Sequence, residues 1–321
     1  MTGRTPTPDA SAAGPVRDDA VARAAGAMFL VGTLAAVSGL IADYPIYGGQ
    51  AVRYAVAAAL LLAAARLLRL PFVRPTRRET LLLTALSLTG LVLFNVCVIE
   101  ATRHAGPALV GTVLATVPLA LALLGGRRPA PRVVAGAAVV AAGAAVATGL
   151  GSGDLPALLW SLGALACEMS FSLLAVPLLP RLGAVRVSAY TTALAVPLLL
   201  VIGGFAEGTG MLRAPTLPEA LGLGYLSVVV TTIAFFLWYS ALPRLGADVA
   251  GLFAGLIPVG AITTGVVLGV GTPSGPDLAG AALVVAGIVI GLHGSGARRR
   301  RGARTRPGRR RRVRERADTP A

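Results

Sequence analysis

Residues 79–118 read ETLLLTALSLTGLVLFNVCVIEATRHAGPALVGTVLATVP, and residues 219–258 read EALGLGYLSVVVTTIAFFLWYSALPRLGADVAGLFAGLIP. At an offset of 140 residues, Glu79, Leu81, Leu83, Leu86 and Ser87 fall on Glu219, Leu221, Leu223, Leu226 and Ser227. Ala101, Gly106, Gly111 and Pro118 fall on Ala241, Gly246, Gly251 and Pro258 at the same offset. Four residues more bring Ala135-Gly136-Ala137-Ala138 onto Ala279-Gly280-Ala281-Ala282, and Gly143 onto Gly287. Ala- and Gly-rich helices match one another by accident. The constant offset, the paired Glu and the paired Pro carry the case for an internal duplication.

Around this repeat the chain is strongly apolar. Of 321 residues, 55% are hydrophobic and 13% charged, with a mean hydropathy of +0.76. A soluble domain carries about 25% charge. The composition therefore excludes a disordered chain and argues against an ordinary cytosolic enzyme. Apolar runs fall at 24–42, 50–70, 79–102, 106–125, 132–150, 156–178, 185–204, 218–241, 246–269 and 277–294. Each is close to the roughly 20 residues that span a bilayer as a helix. Backbone amides in hydrocarbon must bond within their own segment, so the reading is all-α, with ten transmembrane helices. The expected organisation is a disordered cytoplasmic lead over 1–23, five helices over 24–150, five more over 151–296, and a disordered Arg-rich tail over 297–321.

All 29 basic residues are Arg. Twelve lie between Arg298 and Arg316, so most of the formal charge of +15 decorates one terminus. The rest collect in alternate loops: Arg66 to Arg78, then Arg127 to Arg132, then Arg181 and Arg186, then Arg244. The intervening loops hold Arg103 and Arg213. By the positive-inside rule both termini are expected in the cytoplasm, with the chain in the plasma or inner membrane. The tail suits anionic lipid headgroups. No aromatic residue interleaves its arginines, which speaks against a nucleic-acid partner.

Five spans per half is an odd number. The second half must enter the membrane upside down relative to the first. Inverted repeats of this kind are characteristic of secondary transporters, whose substrate site lies between the halves near the midplane.

The chain resembles the drug/metabolite transporter superfamily, in particular its EamA-like members, over roughly residues 24–294. The resemblance rests on Ala51-Val52-Arg53-Tyr54-Ala55 at the start of the second span and Phe235 to Leu242 at the end of the eighth. The turn Pro243-Arg244-Leu245-Gly246-Ala247, then Pro258, then Gly280-Ala281-Ala282 and Gly287 complete it. Ala101, Gly106, Pro118, Gly136 and Gly143 repeat the plan in the first half. It implies export of a metabolite or drug, driven by a proton or solute gradient.

Residues that could carry transport are the few polar groups left inside. Glu168 sits midway along the sixth span, where a carboxylate costs at least ~2.5 kcal/mol. It is either a coupling or amine-binding acid, or a protonated Glu bonded to a neighbour. Glu100, Arg103 and His104 form an i, i+3, i+4 set that suits a local ion pair. Arg53, three residues into the second span, could snorkel to headgroups, pair with Glu100, or receive an anionic group of the solute. Asn95, Thr231, Trp238 and Tyr239 are candidates for the cavity wall, whereas Trp160 and Tyr225 suit interfacial anchors. Pro118 and Pro258 are expected to kink the fourth and ninth spans, each freeing one carbonyl.

Cys97 and Cys167 fall in apolar runs and read as small buried hydrophobes rather than a disulfide. No enzyme signature and no metal-ligating cluster is present, so neither catalytic residues nor a cofactor are expected. The partners expected are a small-molecule solute and lipid, for a monomer or homodimer. The competing reading is a non-transporting membrane protein, either an intramembrane enzyme or a scaffold using its basic tail.

Overall fold

The computed structural model describes residues 14–105, 107–124, 130–149, 153–269 and 272–304. Nine helices among them are long and apolar enough to cross a membrane. They are α1 (Asp18–Ile41), α2 (Ile46–Leu67), α3 (Arg77–Ala105), α5 (Pro131–Thr148), α6 (Leu155–Leu173), α7 (Leu179–Ala206), α8 (Leu217–Leu245), α9 (Ala247–Val267) and α10 (Gly275–His293). A shorter apolar helix, α4 (Leu109–Leu124), takes the place of the expected fourth span. Large apolar side chains point outward all round, with Phe205 91% and Val267 78% exposed. A soluble protein does not tolerate such a surface, and a bilayer covers it.

Local chemistry explains the helix starts. The paired Glu79 and Glu219 of the sequence repeat are both capping-box residues. Thr76 N donates to Glu79 Oε2 at 2.7 Å, and Glu79 N donates to Thr76 Oγ1 at 3.3 Å. Thr216 and Glu219 make the same box at the head of α8. Each box satisfies amides that helix geometry leaves unpaired. Asp154 caps α6 by accepting from Ala157 N at 2.9 Å. Ser274 and Asp277 cap α10 reciprocally.

The terminal segments depart from expectation. The first helix begins at Gly14 rather than at residue 24. Ala20 and Ala24 pack in the core, and Asp19 holds Arg23 and Arg244 at 2.9 and 3.1 Å, so this turn has partners that a disordered lead would lack. The last helix continues through Arg304. The remaining tail residues, 305–321, and the lead residues 1–13 lie outside the described residues.

Helix contacts come in exchanged sets. α1 packs on α8 and α9, and α6 packs on α3 and α4. α2 packs on α8, and α7 on α3. α2 with α7, α4 with α9, and α5 with α10 close the arrangement. The α5–α10 crossing is close because its contact points are glycines. A Cβ on Gly136 would lie 2.6 Å from the Gly287 carbonyl oxygen, and one on Gly143 would lie 2.8 Å from that of Gly280. Small residues allow backbones to approach in this way.

The α2–α7 pair is fastened at both ends. At one end the Glu207 carboxylate accepts from Tyr47 N and Gly48 N at 2.9 and 3.0 Å, capping α2. Tyr44 donates to the Arg213 carbonyl at 2.8 Å, and Arg213 pairs with Glu219. Burial lifts the Tyr44 phenol above its ordinary range, which keeps it a donor. At the other end Arg186 Nη2 donates to the Pro71 carbonyl at 2.6 Å and Tyr190 to that of Val73 at 3.0 Å. Arg181 pairs with Glu79 there.

Candidate functional site

The interior polar groups lie on α2 and α8, which pack on one another, and on α6, whose Phe171 meets α8. Part of α8, Leu226–Ile233, is π-helical, and so is Leu88–Leu93 of α3. The two stretches overlap at the 140-residue offset of the sequence repeat. Widened turns of this kind concentrate at functional sites and hinges. In α8 the hydroxyls of Thr231 and Thr232 reach back five residues to the Leu226 and Ser227 carbonyls, at 2.9 and 2.8 Å.

Thr231 is fully buried and also accepts from Arg53 Nε at 2.6 Å. Arg53 Nη1 donates to Gln50 Oε1 at 3.3 Å, and the guanidinium carbon sits 5.3 Å from the Tyr54 ring centroid. Arg53 does not snorkel and does not pair with Glu100. Helix α2 begins at Ile46, a turn earlier than its apolar run, so Arg53 lies two turns into the helix. Only 6% of it is exposed. Glu100 instead holds Arg103 at 2.9 Å, the local pair that the spacing suggests. His104 lies 3.8 Å from Asp154. These three mark the end of α3, away from the interior group.

On α6, Phe171 stacks obliquely on Phe235 and Tyr239 of α8, with ring centroids 4.9 and 5.2 Å apart. Gly90 of α3 makes room for this ring: a Cβ there would lie 2.9 Å from Phe171. The Tyr239 hydroxyl faces the Phe171 carbonyl at 3.5 Å. One turn before Phe171 is Glu168. Its carboxylate has no hydrogen-bond or ion-pair partner among the described residues, and it is only half-buried. Arg53 and Thr231 thus form one polar contact between α2 and α8, and Glu168 and Tyr239 lie on the two helices that the Phe171–Phe235–Tyr239 cluster joins.

Trp238 is 2% exposed, and its indole nitrogen lacks a partner among the described residues. Asn95 spends its amide on the Leu91 carbonyl of its own helix. Tyr225 is tied inward, donating to Thr33 at 3.0 Å, rather than anchoring at the interface. Both prolines follow interruptions. In the fourth span helix geometry stops at Leu114 and resumes at Val117, while α9 has a 3-10 stretch over Gly251–Gly255 before Leu256. Cys97 and Cys167 are buried free thiols. No group of three or more potential metal ligands occurs among the described residues.

Gln50, Tyr54 and the α8 π-turn went unseen in the sequence. Gln50 lies one turn before Arg53, and that spacing was the available signal. The π-turn carries no residue signature.

Residues 155–292 match the model of the EamA-like transporter family. Over 257 residues the chain is 25% identical to the uncharacterized transporter YetK of Bacillus subtilis (strain 168), covering 76% of this chain and 78% of that protein. A protein known from its crystal structure superposes with a TM-score of 0.74 at 25% identity, over 88% of this chain and 99% of that one. The second half of the chain is thus similar to the EamA-like transporter family, most of its length is similar to a transporter relative, and its apolar helices are those of a multi-pass membrane protein; together these support a membrane transporter of small solutes.

Proposed function

We propose that the protein is a secondary transporter that exports a small organic solute by alternating access between two inverted five-helix repeats. The observation that carries this reading is the α5–α10 crossing. Under the sequence repeat, Gly136 corresponds to Gly280 and Gly143 to Gly287. Gly136 meets Gly287, and Gly143 meets Gly280. Contacts exchanged in this manner are the mark of a two-fold axis relating the partners. The exchange of α1 with α6, α3 with α8 and α4 with α9 in the packing follows the same rule. A two-fold axis along the membrane plane gives two arrangements of equal architecture, one open to each side.

On this reading both termini lie in the cytoplasm, the chain sits in the plasma or inner membrane as a monomer or homodimer, and the Arg tail rests on anionic lipid. Export is the direction that the resemblance favours. The interior group of Arg53, Thr231, Trp238, Tyr239 and Glu168 forms the pathway wall. Pro118 and Pro258 shape it, while Asn95 and Glu100 stand at its margin.

Comparative metabolite profiling of cells and medium, with and without expression of the chain, tests the proposal. At least one solute should fall inside the cell and rise outside. A solute that rises only inside would overturn export, and no shifted solute would overturn transport of a cellular metabolite.

A further inference from the structure

We propose that Arg53 is an anion receptor in the pathway, and that the transported solute is an organic anion whose apolar body packs against Phe171, Phe235 and Tyr239. This rests on the transporter reading above. The charge pattern of the arginines points to it. Arg23, Arg103, Arg181, Arg213 and Arg244, toward the helix ends, each hold a carboxylate. Arg53, the deeply buried one, holds none among the described residues.

Its partners are neutral: the Thr231 hydroxyl, the Gln50 amide oxygen and the face of Tyr54. Nη2 makes no hydrogen bond among the described residues. A buried charge without a counter-charge is strongly unfavourable. A packing role is served as well by an uncharged side chain. Glu168, the acid of the same interior, forms no ion pair with Arg53 and is itself unpaired. Two opposite charges kept apart in low dielectric leave Arg53 free to take its counter-charge from a ligand. Phe171, Phe235 and Tyr239 form an apolar aromatic cluster between α6 and α8, the helix that also carries Thr231, and aromatic walls with a few polar groups suit organic ligands.

Trp238 provides the readout, two turns beyond Thr231 on the same helix face. The chain has two Trp, so Trp160→Phe makes Trp238 the sole emitter. The full chain with this substitution, in lipid nanodiscs, would be titrated with 3-phenylpropionate, 3-phenylpropanamide and 3-phenylpropylamine. The expected result is a saturable change in Trp238 emission with the carboxylate, at least tenfold tighter than with the neutral or cationic compound. Arg53→Gln should abolish that preference and Arg53→Lys retain part of it.

Equal response to the three compounds, response to none, or an unchanged preference in Arg53→Gln would overturn the proposal. Should Arg53→Gln fail to fold, Thr231→Val keeps the cation and removes its anchor. It should weaken 3-phenylpropionate selectively, and unchanged selectivity overturns the idea. Counterflow in sealed proteoliposomes separates this from the transporter reading. Anion binding without flux sinks transport and leaves the receptor standing. Flux of other solutes without anion preference does the reverse.

Discussion

Glu168 and Arg53 look alike in the sequence, as isolated charges in apolar runs, and the structure treats them differently. Arg53 is anchored by two side-chain acceptors, while the Glu168 carboxylate has no partner among the described residues. An unpaired intramembrane acid faces a cavity or exchanges a proton with it. Glu168→Gln keeps the shape and removes the exchangeable proton. The expected outcome is a fall in transport of about tenfold or more, the size of one lost hydrogen bond to a charged group. The pH dependence of transport should flatten while thermal stability is kept. Flux measured across external pH in proteoliposomes checks this, and an unchanged profile would remove Glu168 from the mechanism. Glu168 stands out in the sequence as a candidate because a carboxylate in hydrocarbon is costly. The partner of Arg53 does not, because Thr231 lies 178 positions away and only the packing of α2 on α8 brings them together.

Among the helices, the proposed duplication is legible in the sequence where it rests on chemistry along one segment. The paired Glu residues recur because each closes a capping box, and the paired glycines recur because each admits a neighbouring backbone. The π-turns of α3 and α8 left no such trace, since any apolar residue tolerates them and the packed neighbours decide them. The start of α2 was also missed. The segment Ile46-Tyr47-Gly48-Gly49 is poor helix former by composition, and the Glu207 carboxylate supplied from α7 holds it. The glycine crossing makes a direct prediction. Gly143→Leu should destabilise the protein by about 1–3 kcal/mol, as overpacking does. Gly265→Ala on α9, where a Cβ meets nothing within 4 Å, should be neutral. Unfolding followed in detergent compares the two, and equal effects would contradict the tight crossing.

For the whole molecule, the proposed orientation puts the arginine-rich loops and both termini in the cytoplasm. A C-terminal alkaline phosphatase fusion should be inactive in intact cells, because the enzyme matures only outside. Deleting residues 298–321 removes twelve arginines and should leave transport within about twofold while weakening vesicle surface association, at ~1 kcal/mol per basic residue near anionic lipid. Loss of all transport would assign the tail a direct part. Composition made the membrane class plain, and the net charge concealed how neutral the body is.

The fastening of α2 to α7 at both membrane faces has a mechanical consequence. A pair of rods tied at both ends cannot spread apart, so if access alternates as proposed, these two serve as a stationary axle. Motion then falls to the helices on either side, α1 with α8 and α9, and α6 with α3 and α4. Their π-turns and proline breaks are the compliant joints of such a linkage. Stiffness in one pair of helices is what gives the others something to turn against.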